Sequence, residues 1–389
     1  MPDASQPSVI FITNIPAPYR VAMLNRAYVA LKAHGLSLKV LFAAASYKRR
    51  SYWQGVISDI TFPFRFLNDL NLQIGSEKLF SFGWSLPKIL REENPAIVVS
   101  AGFSLPSMFA CHYASGRNIP FLIYSGETSR QAQRRRAEWL RKPVRKYLLA
   151  QSALCIAYGS EARNFLAQNG VAKENIHIAI NSIDTENFSE LLKKAPPRVE
   201  RDGFAKPRVL FVGNLQRFKG IEFALHALQL LQSSSKLQIQ FDIVGGGPDR
   251  ERLERLTREL SLTHVTFWGP QPNYEVARFF KKCDFFVFPS LYDIYGLVLV
   301  EAAAAGLPII ASKFAGGTID VVQDGQNGFV VDPTDIPALA QCIRELCLNP
   351  GIREEMGRQS LRIVAESVNI QKNAQGFVQA ILGCLPGDG

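Results

Sequence analysis

Phe285-Phe286-Val287-Phe288-Pro289-Ser290-Leu291-Tyr292-Asp293-Ile294-Tyr295-Gly296-Leu297-Val298-Leu299-Val300-Glu301-Ala302 decides how this chain is read. The four residues 285–288 have the length and β-rich make-up of a buried strand. A turn follows at Gly296, and Leu297–Ala305 is a run of high helix propensity. A strand–loop–helix junction leaves unpaired backbone N–H groups at the helix start, which suit an anion such as a diphosphate. Asp293 falls in the loop and Glu301 in the helix, so one segment can hold a diphosphate and two hydroxyl-rich groups. That is the chemistry of a nucleotide-sugar site.

The segment resembles the sugar-nucleotide motif of retaining glycosyltransferase family 4, which has the GT-B fold. Its usual form is two glutamates seven residues apart with Gly-Leu between them and Glu-Ala at the end. Here the first acid is Asp293, one methylene shorter, and the second is Glu301. The resemblance continues through Gly306-Leu307-Pro308-Ile309-Ile310-Ala311-Ser312, Gly316-Gly317 and Asp324-Gly325-Gln326-Asn327-Gly328-Phe329-Val330-Val331. It implies that Glu301 holds the ribose diol, that Asp293 lies near the sugar hydroxyls, and that amides of Gly296, Leu297, Val298 and Leu299 meet the diphosphate. The bacterial polysaccharide- and lipopolysaccharide-assembly members are the subgroup it points to.

The fold expected is α/β, with two doubly wound, Rossmann-like parallel-sheet domains facing a central cleft. A chain of 389 residues suits two cores. Strands are predicted at Val9–Thr13, Leu38–Ala43, Pro95–Ser100, Pro120–Tyr124, Ser152–Ala157 and Ile176–Ile180, with helices at Val21–His34 and Pro106–Gly116. A second series begins at Val209–Val212 and continues through Phe241–Val244, Val265–Phe267, Phe285–Phe288 and Ile309–Ala311. The charged, proline-bearing stretch 191–208 between them reads as a linker. The expected division is an acceptor-side domain over 1–190, a nucleotide-sugar domain over 209–369, and a last helix, about Ile370 to Leu382, that packs back on the first domain.

Bulk composition narrows the function classes. Hydrophobic content of 47% and charged content of 20% are ordinary for a globular protein. The start, Met1-Pro2-Asp3-Ala4-Ser5, lacks the basic region of a signal peptide, and no membrane span is predicted. The six cysteines and five histidines show no metal-type spacing, so no metal site and no cofactor beyond the donor substrate are expected. The net charge of +10 is uneven: residues 1–190 hold 22 Lys+Arg against 13 Asp+Glu, and residues 191–389 hold 22 against 21. An acidic partner for the first half follows.

Three further motifs qualify this reading. Gly213-Asn214-Leu215-Gln216-Arg217-Phe218-Lys219-Gly220 can bring cations and backbone to a diphosphate. The family loop often reads Gly-Arg and then Lys-Gly; Lys219-Gly220 matches, and Asn214 takes the place of the Arg. Arg217 either supplies the missing guanidinium or belongs to a solvated loop. Phe267-Trp268-Gly269-Pro270 ends a strand, and the resemblance puts Gly269 against the base. Gly245-Gly246-Gly247-Pro248 fails the dinucleotide spacing, because the third glycine would fall at Arg250. This weakens the alternative of an NAD-linked oxidoreductase.

In the first half, Pro18-Tyr19-Arg20 follows the first strand and resembles the start of several polysaccharide-assembly enzymes. Arg20 reads equally as a contact to an acceptor or donor phosphate and as a structural cation. Glu127, after Tyr124-Ser125-Gly126, is a candidate to orient the acceptor or take its proton, with a purely structural role equally open. The run 130–149 carries eight cations against one acid, with Trp139, Leu140, Val144, Tyr147 and Leu148 at near-helical spacing and a break expected at Pro143. An anionic membrane surface suits such a helix, a solvated face is the plainer reading, and no nucleic-acid module accompanies it. The function expected is retaining transfer of a sugar from a nucleotide-diphosphate donor, UDP- or GDP-linked, to a lipid-linked saccharide acceptor. The site is expected to use Asp293, Lys219, Arg217 and Glu127 and to work without metal, peripherally on the cytoplasmic membrane. A non-catalytic membrane-binding protein derived from the fold is the other alternative.

Overall fold

The computed structural model describes residues 6–46, 56–67, 69, 71–74, 78–134, 138–196, 206–235 and 237–385. Two compact units divide the chain: residues 1–181 with 370–389, and residues 182–369. Among the described residues no helix is long and apolar enough to cross a membrane.

In the first unit β1 (Ser8–Thr13) leads into α1 (Pro18–Ala33), then β2 (Ser37–Phe42) and β3 (Phe64–Phe66). A two-stranded antiparallel hairpin of β4 (Asn71–Ile74) and β5 (Lys78–Ser81) interrupts the alternation before α2 (Leu86–Glu93). It resumes with β6 (Ile97–Ala101), α3 (Leu105–Ser115) and β7 (Phe121–Ser125). Two helices, α4 (Ser129–Arg134) and α5 (Glu138–Gln151), precede β8 (Leu154–Ala157), α6 (Ser160–Gln168) and β9 (Ile176–Ile178).

The second unit opens on α7 (Thr185–Lys194) and β10 (Arg208–Val212). Then come α8 (Ile221–Ser235), β11 (Gln240–Val244), α9 (Arg250–Glu259), β12 (Val265–Gly269) and α10 (Asn273–Lys282). β13 (Phe285–Phe288), α11 (Leu297–Ala304), β14 (Ile309–Ser312), α12 (Thr318–Val321) and β15 (Gly328–Val331) complete the sheet side. α13 (Ile336–Leu348) and α14 (Pro350–Glu366) close the unit, and α15 (Ile370–Leu382) belongs to the first.

Both large sheets are parallel, in the orders β3-β2-β1-β6-β7-β8-β9 and β12-β11-β10-β13-β14-β15. The order reverses beside β1 in one and beside β10 in the other. Each reversal is a switch point, where the loops leaving the carboxyl ends of neighbouring strands part to opposite faces and leave a crevice. The central strands are mostly apolar, as burial on both faces requires: Phe285, Phe286 and Val287 are inaccessible to solvent, as are Val98 and Val99. Phe11 packs edge-on against Tyr124 and against Phe377 of α15, with centroids 5.7 and 5.4 Å apart.

Three sequence expectations change here. The units divide at Asn181/Ser182 instead of at 190, because α7 packs on its own sheet's helices. Phe188 meets Phe280 edge-on at 5.8 Å, and Lys281 Nζ donates to the carbonyls of Leu192 and Ala195 at 2.9 and 3.1 Å. The predicted linker therefore begins after Lys194; its residues 197–205 lie outside the described residues. Finally, α5 runs through Pro143. Proline leaves the Trp139 carbonyl without its helical donor, but Trp139 and Pro143 are both exposed, so water can serve that carbonyl.

Candidate active site

The switch point of the second sheet lies between the loop after β10 and the loop after β13, and these two loops are zipped together. Gly220 adopts φ +66°, and a Cβ there would lie 2.1 Å from the Pro289 carbonyl oxygen, so only glycine allows the approach. The Leu291 amide and the Ser290 hydroxyl both donate to the Phe218 carbonyl, at 2.7 and 3.2 Å. The ring of Phe218 meets that of Tyr292 at 6.0 Å.

This pairing brings Lys219, at the end of a 3₁₀ turn, onto Asp293, 74 residues further on. The ammonium donates to Asp293 Oδ2 in a largely buried ion pair. Its Nζ also lies 5.1 Å from the Phe288 ring centroid and 5.6 Å from that of Phe218. The other carboxylate oxygen of Asp293 accepts from the Tyr295 amide at 3.2 Å. Gly316 and Gly317 fasten the loop from its far side. Their amides donate to the Asp293 and Tyr295 carbonyls at 3.0 and 2.8 Å, and a Cβ on either would lie 2.1 or 2.3 Å from a backbone oxygen. The sequence offered Gly316-Gly317 without this role; their adjacency is the only signal for it.

Gly296 turns the chain into α11 with φ +83°, and a Cβ there would press on Phe288 at 3.0 Å. The Leu299 amide closes the first turn on the Gly296 carbonyl at 2.9 Å. Gly296, Leu297, Val298 and Leu299 thus form a helix start with no capping side chain and no acid in its first turn. Its dipole favours an anion. Glu301 stands on the next turn, half-buried, and has no hydrogen-bond or ion-pair partner among the described residues. Desolvation pushes its carboxyl up to about 7. A carboxylate kept partly out of water without a donor is suited to accept one from a ligand.

The remaining predicted residues divide. Gly213 and Gly269 lie in adjoining turns tied through Gly245: its amide donates to the Gly269 carbonyl at 2.8 Å, and its missing Cβ would meet the Gly213 carbonyl at 1.9 Å. The triple glycine thus lets these loops pack on each other. Asn214, where the family Arg would stand, has a buried Oδ1 with no donor among the described residues. Arg217 is exposed and its guanidinium makes no hydrogen bond or ion pair among them; it does not join Lys219 on Asp293.

In the first unit Glu127 is buried and paired with Arg145, whose Nη1 lies 3.3 Å from Oε2. The same guanidinium reaches Glu138 at 2.6 Å and Asn169 at 3.1 Å. Arg145 therefore points into the unit and not toward solvent. Arg20 is also buried, against Tyr124 and Tyr158, side chains that the sequence did not single out.

Comparison with known proteins bears on the family and the fold. Residues 28–187 match the model described as Glycosyltransferase Family 4, and residues 199–362 match Glycosyl transferases group 1. A sulfoquinovosyl transferase of Arabidopsis thaliana is 24% identical over 319 residues, 79% of this chain and 59% of its own. A D-inositol 3-phosphate glycosyltransferase of Corynebacterium jeikeium is 32% identical over 192 residues, 47% of this chain and 46% of its own. The chain thus spans about half the length of these relatives. A D-rhamnosyltransferase of Pseudomonas aeruginosa is 28% identical over 300 residues, 75% of this chain and 74% of its own. Among solved structures, a lipopolysaccharide outer core galactosyltransferase superposes with a TM-score of 0.72 at 17% identity, over 97% of this chain and 100% of its own. The Anabaena HepE protein, solved with UDP, gives 0.72 at 15% identity over 97% and 100%. Two family models that together cover most of both units, on two parallel sheets of this order, make the chain a member of glycosyltransferase family 4, with the GT-B fold.

Proposed function

We propose that the protein transfers a sugar from a nucleotide-diphosphate donor to a hydroxyl of a saccharide acceptor with retention of anomeric configuration. The observation that carries this reading is the Lys219–Asp293 pair beside the partnerless Glu301, at the switch point of the second sheet. Glu301 would accept hydrogen bonds from the ribose diol, and the α11 amides with Lys219 would offset charge developing on the leaving diphosphate. Asp293 would hold the Lys219 ammonium in place and share it with the sugar. A UDP-linked donor is favoured by the Anabaena relative's complexes with UDP and UDP-glucose. A thermal-shift screen of nucleotide sugars tests the reading, since a ligand that binds only the folded state raises its melting temperature. No shift with any UDP- or GDP-sugar would overturn it. Activity is expected to survive EDTA, because Lys219 and the helix start already supply fixed positive potential.

The acceptor we propose is lipid-linked, met by the first unit at an anionic membrane surface on the cytoplasmic side. Support comes from α5, where Trp139, Leu140 and Tyr147 are 74, 55 and 42% exposed and Lys142 and Lys146 share their face. α3 lies alongside: Arg141 donates to the Phe103 carbonyl at 3.4 Å and Ser115 to Gln151 at 3.2 Å, and Leu105 and Phe109 are exposed too. Apolar anchors among lysines suit a headgroup layer. Arg135 and Arg136 of the basic run lie outside the described residues. Changing Trp139, Lys142 and Lys146 together to Ser should release the protein from anionic vesicles. Equal sedimentation of wild type and variant would leave α5 a solvated face.

A further inference from the structure

The first sheet has its own switch point, between β1 and β6, and Arg20 is buried there. Its guanidinium sits among aromatic rings, 4.9 Å from the centroid of Tyr124, 5.3 Å from Tyr158, 5.8 Å from Tyr19 and 5.9 Å from Phe11. Its hydrogen bonds go to neutral hydroxyls, Thr13 Oγ1 at 3.3 Å and Tyr158 Oη at 2.5 Å. The other N–H groups of the guanidinium have no acceptor among the described residues, and no carboxylate pairs with it there. Burial pushes the Tyr124 and Tyr158 phenols up, so neither supplies a compensating anion. The acid nearest in sequence to these strand ends, Glu127, is held by Arg145.

A buried cation without an anion is costly, and ring faces offset only part of that cost. A purely structural Arg at this position would be expected to carry a carboxylate partner. Two other features favour a ligand in its place. Arg20 stands in the first turn of α1, which has no capping side chain and no acidic residue in that turn. And the cage has an opening, since Tyr19, Gly126 and Tyr158 are partly exposed. Spare guanidinium donors, a phenol and the positive end of the α1 dipole together match a tetrahedral oxyanion.

We propose that the Arg20 guanidinium and the Tyr158 hydroxyl, at the start of α1, form a second anion site, for a phosphate-type group, that works independently of the donor nucleotide. Resting on the reading that the first unit receives the acceptor, this group is the phosphate of a phosphorylated acceptor. Tyr158 packs so closely over Gly126 that a Cβ there would lie 2.3 Å from its ring, which fixes the hydroxyl in place.

The test is titration of the whole protein with inorganic pyrophosphate in saturating UDP, and separately with UDP, for wild type, Arg20→Gln and Tyr158→Phe. Pyrophosphate should bind the UDP-saturated wild type, about tenfold or more weakly in Arg20→Gln and several-fold more weakly in Tyr158→Phe. UDP affinity should stay within about twofold in both. No pyrophosphate binding beside UDP, or unchanged binding in Arg20→Gln, would overturn the site. Equal weakening of UDP and pyrophosphate would overturn its independence, because the group would then be the donor's own diphosphate. Should Arg20→Gln not fold, Tyr158→Phe, which keeps the ring, carries the same readouts. Failure of wild type to bind either UDP or GDP would instead sink the nucleotide-sugar reading.

Discussion

The two sheets share one strand order about their switch points, yet the chemistry gathered there differs. In the second unit a lysine and an aspartate pair, an unpartnered glutamate stands one turn away, and glycines press the loops together. In the first unit an arginine lies among four aromatic rings with no acid. The second arrangement has acceptors for hydroxyls and a cation for a phosphate, as a sugar nucleotide needs. The first has a cation and neutral hydroxyls. Topology locates the crevice in both; the side chains at the loop ends decide which ligand each can hold.

The largest effect should come from breaking the ion pair in the second unit. Lys219→Ala removes the fixed cation and leaves Asp293 without its partner. Losing one such preorganised group costs about 10²–10³-fold in turnover. Asp293→Ala should also lower turnover while sparing nucleotide affinity. If Lys219→Ala keeps wild-type kcat, charge at this switch point does not drive the reaction, and the contrast between the units loses its meaning.

Next in size is nucleotide affinity. Glu301→Ala deletes a charged hydrogen-bond acceptor worth roughly 1.5–3 kcal/mol, so UDP should bind about ten- to a hundredfold more weakly. Calorimetry on this variant and on Arg20→Gln sharpens the comparison, since only the first should lose UDP. Unchanged affinity in Glu301→Ala would mean that the ribose is held elsewhere.

Glu127→Gln addresses the first unit alone. Removing one partner from a fully buried pair costs about 3–5 kcal/mol, but Arg145 keeps Glu138 at 2.6 Å. We expect a loss of about 2 kcal/mol in denaturant unfolding with turnover nearly kept. A collapse of kcat at unchanged stability would restore Glu127 as the group that takes the acceptor's proton.

How far the sequence reaches also differs between the units. Asp293, Gly296 and Glu301 were legible because strand, loop and helix follow one another within twenty residues, and the strand before them, Phe285–Phe288, is wholly apolar. α15 lies where a last helix was expected, at about Ile370 to Leu382. The Lys219–Asp293 contact was not, because it depends on which strands become neighbours. β3 escaped because Phe64-Arg65-Phe66 is short and charged at its centre, and the β4–β5 hairpin because it lies apart from the parallel sheet. The Arg20 cage gathers residues from positions 11 to 158, and only Tyr19 and Arg20 share a motif, so the fold alone brings Phe11, Tyr124 and Tyr158 to them.

The smallest expected effect is a pH dependence. Glu301 has its folded-state value pushed up to about 7, above the ordinary 4.5, because desolvation disfavours the charged form. The folded protein therefore holds this proton more tightly than the unfolded chain between those values. Stability contributed by the protonated form is fully present below about 4.5 and is lost as pH rises through about 7. Full burial would make that loss about 3 kcal/mol; the half-buried side chain calls for a smaller figure, about 2 kcal/mol. Glu301→Gln, neutral at every pH, should thus gain on wild type by about that amount at pH 8 and by nothing at pH 4. Binding should respond in the opposite sense. Ionised Glu301 accepts two hydrogen bonds from a diol, so UDP-glucose, whose own diphosphate does not titrate in this range, should bind wild type more tightly as pH rises from 6 to 8. In Glu301→Gln the affinity should be flat. Parallel unfolding curves of the two proteins from pH 4 to 8, with equally flat binding, would place the charge-sensitive group outside α11.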